Sequence, residues 1–308
     1  MTRGDAGATM ETVLLTSPQY PGLLRRTDDP PPLIFVRGEL RADEVAVAVV
    51  GSRRATPAGR AVAERLAAGL AWHGVTVVSG LARGIDAVAH RAALQAGGRT
   101  VAVLGCGPDV VYPPEHGALL QAIVARGCVI SEFPPGTPPR RGHFPRRNRI
   151  IAGLALGVVV VEGDERSGTL STVAHALRYG REVMAVPGGV LNPLSRAPNG
   201  LIRDGAALVE TAEDVLGVLG LPLRTSPVAG GAGPSIPPGP AALVWAALAG
   251  EPVHIDQVAA CTGLSPSQVA AVLLDLELQG LVRQYPGKQF LRVLPPGPPP
   301  RGAWPSRC

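Results

Sequence analysis

Residues 45–59 read VAVAVVGSRRATPAG, and this stretch decides the fold. Val45–Val50 is apolar throughout, so as a strand it is buried on both faces, which requires helices above and below the sheet. Gly51-Ser52-Arg53-Arg54 breaks the strand, and Thr56-Pro57 opens a helix, with proline near the first helical position, where its missing N–H costs nothing. A buried strand, a glycine turn and a helix make the first unit of a βα alternation.

The alternation repeats along the chain. Short β-branched or apolar runs fall at Val75–Ser79, Thr100–Leu104, Cys128–Ser131, Val158–Glu162 and Glu182–Val186. Between them, apolar residues recur at helical spacing, as at Ala61, Leu66 and Leu70. The pattern predicts an α/β fold, a Rossmann-like, doubly wound, mostly parallel sheet over residues 45–220. Residues 1–44 read as an irregular N-terminal extension, broken by Pro21 and Pro30-Pro31-Pro32, with a short edge strand over Leu33–Val36. Residues 221–240 are half Gly and Pro and read as a linker. Residues 241–294 predict helices over Ala241–Leu248, Ile255–Cys261 and Ser265–Gln279, then a hairpin around Pro286-Gly287-Lys288, which is a winged-helix order. The Pro-rich tail 295–308 reads as disordered.

Composition narrows the function. The 308 residues carry a formal charge of +5, and Lys288 is the single lysine, so the cationic side chains are almost all arginine. Arginine offers a planar fork to phosphate and a surface that stacks on bases. The four cysteines stand far apart without a CxxC pair, so neither a zinc site nor a disulfide framework is expected. No secretory leader opens the chain and no apolar run reaches the ~20 residues a bilayer needs, so a cytoplasmic protein with no membrane contact is expected.

In doubly wound sheets, ligands lie at the carboxyl ends of the strands. Four segments there carry chemistry. Gly51, Ser52 and Arg53 form an anion site: glycine admits a ligand to the backbone, and free amides at a helix start face it. Arg83 and Gly84, within Ser79–Asp86, close over the same crevice; Asp86 is either an acid or a helix cap. Arg140–Arg149 holds five arginines in ten residues with Phe144 among them, the pairing of backbone neutralisation and base stacking that single-stranded nucleic acid requires. Arg146, Arg147 and Arg149 open a helix, where cations oppose the dipole, so an anionic ligand accounts for them. Ser167, Gly168 and Thr169 hold phosphate or cap a helix, with the two readings equal. Glu162, Asp164 and Glu165 read as solvated loop acids. No HxxxH, GxSxG or GxxxxGK[ST] occurs, so no cofactor or metal is expected and catalysis is not.

Taken together, GSRRATPAG (51–59), SGLARGIDAVAH (79–90), TVAVLGCGPDVVYPPEH (100–116), ISEFPPGTPP (130–139), FPRRNRIIAGL (144–154), VEGDERSGTLST (161–172) and VPGGVLNPLSRAPNGLIRDGA (186–206) resemble the DNA-processing protein DprA (Smf) family. The resemblance implies a protein that binds single-stranded DNA, forms a homodimer through the Rossmann-like domain and loads RecA recombinase in natural transformation. It implies pocket contacts from the GSR turn and the FPxRN loop, here Gly51, Ser52, Arg53, Phe144, Arg147 and Asn148, with Arg141 where members often place a basic residue. Ala197 departs from the usual glycine, and the helical domain many members carry is missing or vestigial in residues 1–44.

Two rival readings stand beside it. A phosphoribohydrolase-like nucleotide enzyme would need PGGxGTxxE, but Pro187-Gly188-Gly189 runs on into Val190-Leu191-Asn192. A winged-helix transcription regulator would need a basic recognition helix, but Ser265–Gln279 has no Arg or Lys and carries Asp275 and Glu277.

Overall fold

The computed structural model describes residues 10–224, 239–248, 253–279, 281–285 and 287–292. They form two compact units divided after Arg224. Residues 1–9 of the expected N-terminal extension, residues 225–238 of the expected linker and the expected disordered tail 295–308 lie outside the described residues.

The first unit runs β1 (Met10–Leu14), α1 (Gly22–Arg25), β2 (Leu33–Gly38), β3 (Ala46–Val50), α2 (Pro57–Trp72), β4 (Thr76–Ser79), α3 (Ile85–Gln95), β5 (Thr100–Val103), α4 (Gly117–Arg126), β6 (Cys128–Ser131), α5 (His143–Leu154), β7 (Gly157–Val160), α6 (Thr169–Arg178), β8 (Glu182–Ala185), α7 (Arg196–Arg203), β9 (Ala207–Leu208) and α8 (Ala212–Val218). The nine strands lie in the order β1-β2-β6-β5-β4-β3-β7-β8-β9. From β6 to β9 every neighbour is parallel, while β1–β2 and β2–β6 are antiparallel.

The fully buried β3 shows why the sheet is covered on both sides. Val47 and Val49 face one core, with Leu66 and Leu70 of α2, Ala89 of α3 and Leu216 of α8. Ala46, Ala48 and Val50 face the other, with Ile150 and Ile151 of α5 and Val173 of α6. Burying each of these valine, leucine and isoleucine side chains stabilises by about 1.5–3 kcal/mol. The predicted strand cores all form within one or two residues of their expected ends.

Two expectations change. Leu33–Val36 is not an edge strand: β2 lies between β1 and β6, with Ile34 and Val36 fully buried. The edge is β1, whose sequence METVL carries no alternation that marks a strand, since four of its five residues are exposed. The segment before β3 is therefore built into the sheet. Side-chain bonds also hold it in place: Tyr20 Oη donates to Pro31 O at 2.8 Å within the segment, and, from just past the end of α6, Arg181 Nη2 donates to Leu23 O at 2.9 Å and Tyr179 Oη bonds Asp29.

The second unit runs α9 (Pro240–Ala247), β10 (Val253–His254), α10 (Ile255–Thr262), α11 (Pro266–Leu278), β11 (Val282–Tyr285) and β12 (Gln289–Arg292). The three helices and the β11–β12 hairpin are the expected winged-helix elements, and β10 adds a third strand beside β12. Val244, Val258, Val269, Leu273 and Phe290 fill its core. Ser265 caps α11 through a reciprocal box: Gln268 N donates to Ser265 Oγ at 3.3 Å, and Ser265 N donates to Gln268 Oε1 at 3.0 Å. The side-chain oxygen of Gln268 is thus engaged in the cap of its own helix. No single helix among the described residues is long and apolar enough to cross a membrane.

Candidate functional site

After β6 the chain returns across the sheet to place β7 beside β3, and the strand order reverses there. At the carboxyl ends of β3 and β7 lies a cleft of about 760 Å³. Its walls come from the turn after β3, the start of α5 and the loop between β7 and α6, with Ala82, Asp86 and Tyr112 completing it.

The turn after β3 is pinned from both sides. Ser52 N donates to Glu162 O at 2.7 Å, and Ile85 N donates to Ser52 O at 3.2 Å. Ser52 Oγ accepts Arg54 N at 3.1 Å. Gly84 sits at φ +77°, and a Cβ there would lie 2.1 Å from Ser52 O, so only glycine lets the two loops touch. With the turn held, Arg53 and Arg54 are exposed at the cleft. The Arg53 guanidinium lies 5.2 Å from the centre of the Phe144 ring, which lies 5.5 Å from the Tyr112 ring. Arg141 and Arg166 complete the cationic lining. None of these four arginines pairs with a carboxylate among the described residues. The lining thus joins free positive charge to an aromatic face.

Of the sequence-predicted residues, Gly51, Ser52, Arg53, Arg141, Phe144, Arg147, Asn148, Ser167, Gly168 and Thr169 all line this cleft. Arg83 lines a smaller adjoining cavity, and its Nη2 bonds Glu115 Oε2 at 3.0 Å. Arg146 and Arg149 do not line the cleft: both turn to the carboxylate of Glu132, at 2.9 and 2.6 Å, and Arg149 also donates to Asp29 O. Their unfavourable place at a helix start is answered by an internal acid and a backbone carbonyl.

Arg147 is corrected more sharply. It is 4% exposed. Nη1 donates to Gly80 O at 2.7 Å and to Val103 O, and Nε donates to Asn148 Oδ1 at 3.1 Å. Asp86 takes the other side of the same residue, accepting Gly80 N at 3.1 Å. Arg147 and Asp86 therefore grip Gly80 between them and hold the ends of β4 and β5. Burial pulls the Arg147 guanidinium down to about 10, with Asp86 opposing, so it stays charged at neutral pH. Burial also raises the Asp86 carboxyl, against the pull of Arg147. Asp86 is not the helix cap, since Gly84 holds that position.

Ser167 Oγ accepts Thr169 N at 3.3 Å and donates to Thr169 Oγ1 at 3.0 Å, so this hydroxyl engages the start of α6. Asn148 Nδ2 donates to Ser171 Oγ at 2.7 Å, tying α5 to α6. Glu162 is not a solvated loop acid: it is 5% exposed and accepts Thr56 N at 2.9 Å and Thr56 Oγ1 at 2.5 Å. Sequence reasoning did not single out Tyr112, Arg54 or Arg166. Tyr112 was findable as the one aromatic in the β5 loop, but nothing in its spacing shows that it meets Phe144. Among the described residues no group of three or more His, Cys, Asp or Glu is placed to hold a metal.

Comparison with known proteins follows the same division into units. The family model described as DNA recombination-mediator protein A matches residues 11–220, and the one described as DprA winged helix domain matches residues 231–288. Protein Smf of Escherichia coli is 43% identical over 277 residues, 87% of this chain and 74% of that protein. The DNA processing protein DprA of Streptococcus pneumoniae is 46% identical over 198 residues, 64% of this chain and 70% of that protein. The X-ray structure of DprA from Streptococcus pneumoniae superposes with a TM-score of 0.65 at 44% identity, covering 68% of this chain and 74% of that one. The DNA processing protein A of Helicobacter pylori, solved for its single-stranded DNA binding mode, superposes with a TM-score of 0.62 at 27% identity, covering 69% of this chain and 97% of that one.

Proposed function

Because this chain belongs to the DNA recombination-mediator protein A (DprA) family, we propose that it binds single-stranded DNA in the cleft at the β3–β7 switch point, with no catalysis of its own. The observation that carries this reading is the Arg53–Phe144 pair: a free guanidinium against an aromatic face, 5.2 Å apart, beside three more unpaired arginines. Phosphodiesters meet Arg53, Arg54, Arg141 and Arg166, and a base stacks on Phe144. Gly51 and Ser52 present the turn to the strand, and Ser167, Gly168 and Thr169 line the opposite wall. Arg147 and Asn148 act behind the surface, setting where the lining stands.

In the cell the bound strand is protected and RecA is loaded onto it during transformation, by a cytoplasmic homodimer with no membrane contact. The winged helix serves a protein-contact or accessory role, since α11 offers no cation.

Titration of labelled single-stranded and duplex oligonucleotides at two salt concentrations tests the reading. Single strands should bind more tightly than duplex, with affinity falling steeply as salt rises. Equal affinity for both, or binding indifferent to salt, refutes the assignment.

A further inference from the structure

In a Rossmann-like turn the helix after the first strand presents its free amides to a phosphate. In this protein that seat is already taken. Thr56 caps α2, and its Oγ1 accepts Gly59 N at 3.0 Å. Pro57 has no amide hydrogen to offer. Thr56 N is donated to Glu162 Oε2 at 2.9 Å, and Thr56 Oγ1 donates to Glu162 Oε1 at 2.5 Å. The carboxylate is pressed so far into the helix start that a Cβ on Gly59 would lie 2.2 Å from Glu162 Cδ and 2.4 and 2.6 Å from its two oxygens. Glu162 is 5% exposed, so a buried negative group fills the position from the neighbouring strand.

We propose that Glu162 is a specificity-determining residue that closes the phosphate seat at the α2 start, so the cleft rejects mononucleotides and takes only a strand laid along its outer arginines. Charge and space act together. A second anion at the seat would stand against a carboxylate, and the Thr56 and Gly59 amides are already engaged. The cations that remain, Arg53, Arg54, Arg141 and Arg166, line the cleft on its open side, where successive backbone phosphates can meet them one after another. A mononucleotide carries one phosphate group and no backbone to span them. The proposal deepens the single-strand reading on what the cleft refuses. Its first readout is anion binding at the seat, which does not depend on DNA, so the two can fail separately.

The test compares the parent with Glu162→Ala and Glu162→Gln, all full length. The thermal midpoint of each is followed against rising formate and inorganic phosphate at constant ionic strength, and deoxyadenosine monophosphate is used to displace a labelled single strand. Glu162→Ala empties the seat and should gain an anion-dependent rise beyond the parent's, of about 3–6 °C at a concentration roughly tenfold above the anion's Kd. It should also be displaced by about tenfold less mononucleotide than the parent. Glu162→Gln keeps the seat filled and should behave as the parent in both assays. A merely structural role for Glu162 predicts destabilisation without a new anion site. A folded Glu162→Ala with only the parent's anion dependence overturns the proposal. So does a parent whose bound strand is displaced by the mononucleotide as readily as that of Glu162→Ala. Where Glu162→Ala does not fold alone, refolding in formate reads the same point: recovery supports the proposal, and no recovery while Glu162→Gln folds overturns it.

Discussion

Arg53 and Arg147 stand in the same cleft lining, yet their replacement should act through different physics. Arg53 is exposed and its charge is free, so Arg53→Ala should leave stability within about 0.5 kcal/mol. It should remove one phosphate contact and make the slope of log K against log salt shallower by about 0.7. Arg147→Met removes a buried cation that donates to Gly80 O and Val103 O and whose charge opposes the effect of burial on the Asp86 carboxyl. Each charge-assisted bond is worth about 1.5–3 kcal/mol. Leaving Asp86 buried and uncompensated brings the expected loss of stability to about 3–5 kcal/mol, a large share of a typical total of about 5–15 kcal/mol. DNA affinity should fall as well, because the loops that set the lining lose their anchor, but the salt slope should stay that of the parent. The assays are urea unfolding for stability and fluorescence anisotropy at four salt concentrations for the slope. The double variant Arg147→Met/Asp86→Leu removes the orphaned acid and should recover part of the stability, a non-additivity that a phosphate contact does not produce. An Arg147→Met protein of parental stability whose slope drops as far as that of Arg53→Ala would refute the positioning role.

Phe144→Ala should weaken single-strand binding by about 1–3 kcal/mol while Phe144→Trp retains it, read in the same anisotropy titration; equal binding by the alanine variant removes the stacking contact. Gly84→Ala should destabilise by about 1–3 kcal/mol, because its φ of +77° and the contact with Ser52 O admit no side chain, and a parental thermal midpoint would contradict that geometry. His90 is fully buried with Nδ1 2.6 Å from Thr100 Oγ1, and burial pulls it down to about 3. The unfolded chain binds a proton near pH 6.5 and the native state does not, so this contribution is complete above about pH 6.5 and lost as pH falls toward 3. Urea unfolding at pH 7, 6 and 5 should show His90→Gln losing up to about 1.4 kcal/mol less per pH unit than the parent over this window; parallel pH profiles would rule the contribution out.

Local pattern carried most of the architecture. The apolar run Val45–Val50 announces a doubly covered strand because burial on two faces leaves no polar alternation, and Thr56-Pro57 announces the helix start because capping chemistry is local. The same holds for Ser265-Pro266 in the second unit, while Gly51-Ser52-Arg53 reaches the cleft as a turn and FPRRN as the first turn of α5. What lay beyond the sequence depends on which distant groups meet. Arg146, Arg147 and Arg149 look alike as a basic run, but helical geometry sends them to different surroundings: two to Glu132 and one into the grip on Gly80. Glu162 looks like one of three loop acids until the β3–β7 neighbourhood brings it to Thr56, 106 positions away in the chain. Strand and helix identity follow from short-range periodicity and were therefore legible. The partner of a charged side chain is set by strand order and burial, and only the folded sheet decides whether a given arginine is spent on the protein or left free for DNA.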